Sequence, residues 1–165
     1  IDTPAITVGD DWERKGVIRH ATKLLHTTNC ATIPRVCILV RKAYGGTLPI
    51  FCARPQAADF VYVWPTGEYA PMGADGAVAI VYDRKIKELA TTEERLAFAE
   101  KKKKEYFDEY VDPIKTATNL RWNFFDDIID PRKTRETIIQ ALKLGRTIET
   151  RVSPRPKRKQ GNRPI

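Results

Sequence analysis

The stretch Val36-Cys37-Ile38-Leu39-Val40, running on into Arg41-Lys42-Ala43-Tyr44-Gly45-Gly46-Thr47, decides the fold class. Its apolar run is rich in branched side chains and lacks alternation, which predicts a strand covered on both sides. Strands of that kind belong to α/β layers. The two glycines that follow let backbone N–H groups approach a ligand without side-chain obstruction, as an oxyanion site requires. Taken alone, such a pair is more often the mark of a plain turn.

Upstream, Val17, Ile18, Ala21, Leu24 and Leu25 recur at three- and four-residue spacing and predict a helix with one buried face over residues 11–28. Pro34 ends the turn before the strand. Downstream, a second strand is expected over residues 60–64, a turn at Pro65-Thr66-Gly67 and a short strand at Glu68-Tyr69-Ala70. Gly73-Ala74-Asp75-Gly76 then leads into a helix over residues 77–82. Thr91 and Glu94 have capping-box spacing and predict a charged helix to about Tyr110. A third strand is expected over residues 124–129. Asp130 is placed as an N-cap and Pro131 as the first helical residue. Ile138, Ile139 and Leu142 are expected as a buried stripe, with Gly145 as the glycine that stops the helix. The sequence shows no internal repeat.

With 165 residues and 42% hydrophobic content, the chain has the size of one ordinary globular domain and needs neither disulfides nor a structural metal to hold a core. Residues 1–150 are expected to form that domain and residues 151–165 an extended basic tail. The longest apolar runs, residues 36–40 and 77–82, are far short of the roughly 20 residues that cross a bilayer, and no leader precedes them, so a soluble, non-exported protein is expected. Three cysteines, Cys30, Cys37 and Cys52, are an odd count, read as reduced thiols in the cytoplasm or an organelle matrix. Ile1-Asp2-Thr3-Pro4 reads like the end of a strand, as in a piece of a longer polypeptide.

Side-chain chemistry is sparse. His20 and His26 point in different directions on one helix, and Cys30 is expected beyond its end, so the spacing indicates neither a zinc site nor a Cys/His pair. Asp126, Asp127 and Asp130 could serve acid–base chemistry, but a strand end followed by a helix cap also accounts for them. The run Lys101-Lys102-Lys103-Lys104 lies among acids, and the pairs Glu100–Lys104 and Lys101–Glu105 suit a solvated helix face. The net charge of +8 is concentrated in a tail that carries Arg151, Arg155, Lys157, Arg158, Lys159 and Arg163. Such a tail could bind phosphates, but it lacks the interleaved aromatics that stack bases.

Read together, the segments Ala31-Thr32-Ile33-Pro34-Arg35-Val36, Arg41-Lys42-Ala43-Tyr44-Gly45-Gly46, residues 64–78 from Trp64-Pro65-Thr66-Gly67 through Met72-Gly73-Ala74-Asp75-Gly76, and Asp126-Asp127-Ile128-Ile129-Asp130-Pro131 to Arg135 resemble the carboxyltransferase subunits of biotin-dependent acyl-CoA carboxylases. The nearest kind is the propionyl-CoA carboxylase β-subunit. Asp2, Pro4, the helix segment from Gly16 and the ending from Lys157 to Ile165 share the likeness. Such tails are basic in this family, so no nucleic-acid partner is expected.

The resemblance implies a crotonase-like α/β fold, spiral β-layers flanked by helices, and only the C-terminal half of the family's catalytic subunit. The implied partners are the N-terminal half, a biotin carboxylase and biotin carrier component, an acyl-CoA substrate and further copies in an oligomer. No membrane partner and no metal are implied. In the family, carboxybiotin releases carbon dioxide, the biotin ureido anion takes the α-proton of the CoA thioester, and the enolate attacks the carbon dioxide. The protein's share is two backbone oxyanion holes, one in each half.

By that resemblance the N–H groups of Gly46 and Thr47 are expected to receive the biotin ureido oxygen. Tyr44, Gly45, Met72, Gly73 and Gly76 are expected to shape the same cleft. Leu48 and Pro49 stand where propionyl-type subunits carry an acid on the floor of the acyl pocket, so substrate choice is expected to differ. Thr47 replaces a usual alanine, Ala5 a usual glycine and Gly67 a common alanine. Decarboxylation of a CoA ester by the same fold run in reverse, and an assembly domain inactive without its partner half, are the competing readings.

Overall fold

The structure, a computed structural model, describes residues 1–31, 33–51, 58–117 and 124–146. Cys52 and the basic tail beyond residue 150 lie outside the described residues.

The chain lays down one kind of unit repeatedly. Strand β1 (Val36–Leu39) turns at Val40-Arg41 into β2 (Lys42–Tyr44), which passes through Gly45-Gly46 into α3 (Thr47–Ile50). Strand β3 (Phe60–Val63) turns at residues 64–67 into β4 (Glu68–Ala70), which passes through Pro71-Met72-Gly73 into α4 (Ala74–Val81). β1 pairs with β3 in parallel, Val36 opposite Phe60 and Leu39 opposite Val63. β2 pairs with β4 in parallel, Tyr44 opposite Ala70.

Each ββα turn therefore adds one strand to each of two small sheets, and the chain winds as a spiral of β-layers. β5 (Asp127–Ile128) continues the first sheet beside β3. On the far side of β2, Thr3 bridges Ala43 in parallel, and its amide donates to the Lys42 carbonyl at 2.6 Å. The repeat that the sequence does not display exists in the backbone, because parallel pairing needs matched registers and not matched residues.

Leu39, Ala43, Val63 and Tyr69, one from each of the first four strands, form the core, with Ile1, Phe124, Phe125 and Ile128 packed on it. The Phe124 and Phe125 rings meet Tyr69 edge-on at 5.3 and 5.8 Å, the orientation ring quadrupoles favour. β1 alternates in burial despite its uniform composition: Cys37 and Leu39 are buried, Val36 and Ile38 only partly. One face, not both, is fully covered.

Several helices differ from expectation. The helix over residues 11–28 is two pieces, α1 (Asp10–Arg14) and α2 (Val17–Cys30), separated at Gly16 in the left-handed region with φ 78°. No residue of α2 is fully buried, and Ile18 is 61% exposed. After α5 (Asp83–Glu88), α6 (Thr92–Tyr106) starts at the expected capping box, with the Glu94 amide donating to Thr91 Oγ1 at 3.2 Å and the Thr91 amide to the Glu94 carboxylate at 3.1 Å. It then widens into a π-helix over Phe107–Val111 before α7 (Pro113–Ala117).

Asp130 caps a 3₁₀ turn, Pro131–Lys133, that precedes α8 (Thr134–Gly145). The buried residues of α8 are Ala141 and Gly145, whereas Ile139 and Leu142 are exposed. Gly145 ends the helix from inside and serves packing: a methyl there would lie 2.6 Å from Pro34 Cβ.

Candidate functional site

Thr3, β2 and β4 lie side by side and run the same way, so the corners that leave their carboxyl ends stack beside one another. Those corners are Pro4-Ala5-Ile6, Gly45-Gly46 and Pro71-Met72-Gly73, and with Tyr44 they line a groove of about 280 Å³. Ligands in α/β sheets bind at this edge, where backbone groups leave the ladder without partners.

Gly45 makes the tight turn. Its φ is 60°, its amide donates to the Ala70 carbonyl at 2.9 Å, and a methyl on it would sit 3.2 Å from the Pro71 carbonyl oxygen. Only glycine accommodates that conformation without strain. Gly46 follows with φ −68° and ψ −6° and lines the groove under Ile6, whose Cδ1 would lie 3.0 Å from an added methyl. As the residues that open α3, Gly46 and Thr47 have amides with no acceptor in their own helix. Neither amide donates to another group among the described residues.

The sequence-derived site residues do not all meet. Tyr44, Gly45, Gly46, Met72 and Gly73 come together on the groove. Thr47 has no solvent-accessible surface and lies behind it, its hydroxyl donating to the Tyr44 carbonyl at 2.9 Å. Gly76 is exposed in the first turn of α4, outside the groove. Leu48 and Pro49 belong to α3, and their side chains lie outside the described residues.

Tyr44 supports the floor. Its ring passes beneath Gly73, whose added methyl would lie 3.6 Å from the Tyr44 ring, and its hydroxyl donates to the Glu68 carboxylate on the paired strand. Burial first, and the Glu68 carboxylate second, push the phenol above its ordinary range, so it stays a neutral donor. On the outer side, Tyr106 at the end of α6 donates to the Met72 carbonyl at 3.0 Å, and Lys103 pairs with Asp75 at 2.7 Å. Ile6, Glu68 and Tyr106 are absent from the sequence-derived set. Glu68 lies within the 64–78 stretch of the family likeness and Ile6 two residues after Pro4, whereas Tyr106 had no such signal.

The other sequence candidates resolve as follows. Asp126 accepts the Val61 amide at 2.8 Å and Asp130 the Arg132 amide at 2.9 Å, both serving the backbone. Of the lysine run, Lys102 pairs with Glu105 and Lys103 with Glu100, at three-residue spacing in place of the expected four. Because α2 extends to Cys30, that thiol sits 3.4 Å from His26 Nε2, a contact that placing Cys30 beyond the helix end did not indicate. Among the described residues no cluster of three metal-ligating side chains occurs, and no helix is long and apolar enough to cross a membrane.

Comparison with known proteins matches residues 1–162 to the family described as the carboxyl transferase domain. The chain is 35% identical to the methylmalonyl-CoA decarboxylase subunit alpha of Propionigenium modestum, covering 100% of this chain and 30% of that protein. It is 36% identical to the methylmalonyl-CoA carboxyltransferase 12S subunit of Propionibacterium freudenreichii subsp. shermanii, over 99% of this chain and 30% of that one. Among solved structures, the transcarboxylase 12S hexamer with methylmalonyl-coenzyme A and methylmalonic acid bound superimposes with a TM-score of 0.84 at 36% identity, covering 100% of this chain and 29% of that chain. The chain thus spans about a third of the length of the relatives it matches.

Proposed function

The chain belongs to the carboxyl transferase domain family, and from that premise we propose that it forms the biotin-side half of an enzyme transferring a carboxyl group between carboxybiotin and the α-carbon of an acyl-CoA. The observation that carries this reading is the groove at the stacked corners. Its apolar walls, Pro4, Ile6, Pro71 and Met72, suit the hydrocarbon and thioether parts of a biotin ring, and the Gly46 amide, which has no acceptor among the described residues, suits the ureido oxygen. Bound there, carboxybiotin supplies the carboxyl group and the base for the α-proton.

Gly46 then acts as a fixed donor aimed at an oxygen that gains negative charge, a contact whose loss costs about 3–4 kcal/mol where such donors have been removed. Thr47, which has no surface on the groove, acts through its hydroxyl on the Tyr44 carbonyl, which holds the corner closed around the Gly46 amide. Tyr44 and Gly73 shape the wall, and Leu48 and Pro49 set which acyl chain is tolerated. The other half of the catalytic subunit, a biotin carboxylase and carrier component, the acyl-CoA and further copies of the subunit complete the assembly, in the cytoplasm or an organelle matrix. The hexameric 12S relative supports the oligomer. The decarboxylase relative supports the reverse direction as a second reading for the same site.

The test is a pair of substitutions at Gly46 in the complete enzyme. Both add a Cβ beneath Ile6, but Gly46→Pro removes the N–H while its φ of −68° already suits proline. Gly46→Pro is expected to lower carboxyl transfer by about 10²–10³-fold relative to Gly46→Ala. Equal activity of the two variants would remove the amide from the mechanism.

A further inference from the structure

We propose that Tyr106 is a positioning residue for the groove, fixing through the Met72 carbonyl the wall against which a biotin ring rests. The proposal builds on the reading of the groove given above.

The Met72 corner is tied to the sheet only at its start. Its last tie to the sheet is the Gly45 amide on the Ala70 carbonyl, after which the chain leaves β4. From Pro71 to Gly73 no backbone group bonds to a strand among the described residues. The Tyr44 ring holds the corner from the groove side at Gly73, and the Tyr106 hydroxyl, 34 residues further along the chain, holds it from the outside at 3.0 Å. The Lys103–Asp75 ion pair, one turn earlier on α6, ties the same two helices, but its acid is exposed and the pair contributes little fixed geometry.

Tyr106 is itself constrained. It closes α6 where the backbone passes into the π-helix, and its ring meets that of Tyr110 at 5.2 Å between centroids. π-helical turns recur beside functional sites because the wider turn re-aims the flanking side chains. Burial pushes the Tyr106 phenol above its ordinary range and keeps the proton that makes the bond. The aimed group is the Met72 carbonyl and not the Gly46 amide, so its loss alters how a ring is held and leaves the oxyanion donor in place.

Tyr106→Phe in the complete enzyme removes the hydroxyl and keeps the ring. Equilibrium binding of free biotin is expected to weaken about fivefold, the worth of one hydrogen bond. KM for the acyl-CoA should stay unchanged, and amide exchange at residues 72–76 should quicken. Tyr110→Phe, whose hydroxyl pairs with Glu109, is expected to leave all three at parental values. Parental biotin binding by Tyr106→Phe, or an equal loss for biotin and acyl-CoA, overturns the proposal. A parent enzyme that binds no biotin overturns instead the function assigned to the groove. In that event faster exchange at residues 72–76 in Tyr106→Phe supports the role of the hydroxyl and unchanged exchange overturns it.

Discussion

Gly67 shows how one missing methyl group constrains the spiral. It lies in the turn between β3 and β4, where a Cβ would meet Val63 Cγ2 at 2.2 Å and the Trp64 carbonyl oxygen at 3.0 Å. Val63 is fully buried between the sheets and cannot retreat into solvent. Gly67→Ala is expected to cost about 2 kcal/mol, as overpacking of a filled core does. In denaturant titrations, the double variant with Val63→Ala should lose less than the two single changes added together. Strict additivity would show that the turn relaxes independently of Val63. At the site, residue types were legible and residue positions were not. Tyr44, Gly45, Gly46, Met72 and Gly73 follow from motif and turn chemistry, whereas the burial of Thr47 depends on how α3 packs, which no local pattern encodes.

Among the elements, α8 was read correctly in its cap and incorrectly in its face. Asp130 and Pro131 act through bonds to their immediate neighbours, so their roles are visible in sequence. The side of the helix that is buried depends on its partner, and the packed residues are Ala141 and Gly145 against Pro34 and β1. Exchanging a helix-interior glycine for alanine ordinarily gains up to about 1 kcal/mol. At Gly145 the sign is expected to reverse, to a net loss of about 1–3 kcal/mol, because the new methyl meets a rigid proline ring at close range. Thermal unfolding of Gly145→Ala checks this, and a raised midpoint would remove the close contact from the account. α6 carries a related lesson: its capping box was legible, but the π-helical continuation was not, because its basis is packing of Phe107–Val111 on β4.

At the scale of the whole molecule, several helices carry exposed apolar side chains. Ile18 and Leu24 on α2, Ile80 and Val81 on α4, and Ile139 and Leu142 on α8 all face outward. Exposed apolar side chains on three separate helices are surfaces that contact with other protein would cover, in keeping with a chain that spans about 30% of its relatives. The chain by itself is expected to bind a hydrophobic dye, to self-associate in size-exclusion chromatography with light scattering, and to transfer no carboxyl group. Supplying the remaining portion of the enzyme should suppress the dye signal and restore transfer; a monodisperse, dye-silent chain would show that these faces need no cover. The sequence by itself determined the strands, the caps, the Gly-Gly corner and the family, since each is written in neighbouring residues or in motif order. Tertiary structure decided that three corners far apart in the chain form one groove, and that Tyr106 reaches its wall. Parallel pairing across 24 to 40 residues is a long-range register, and no short window of sequence carries it.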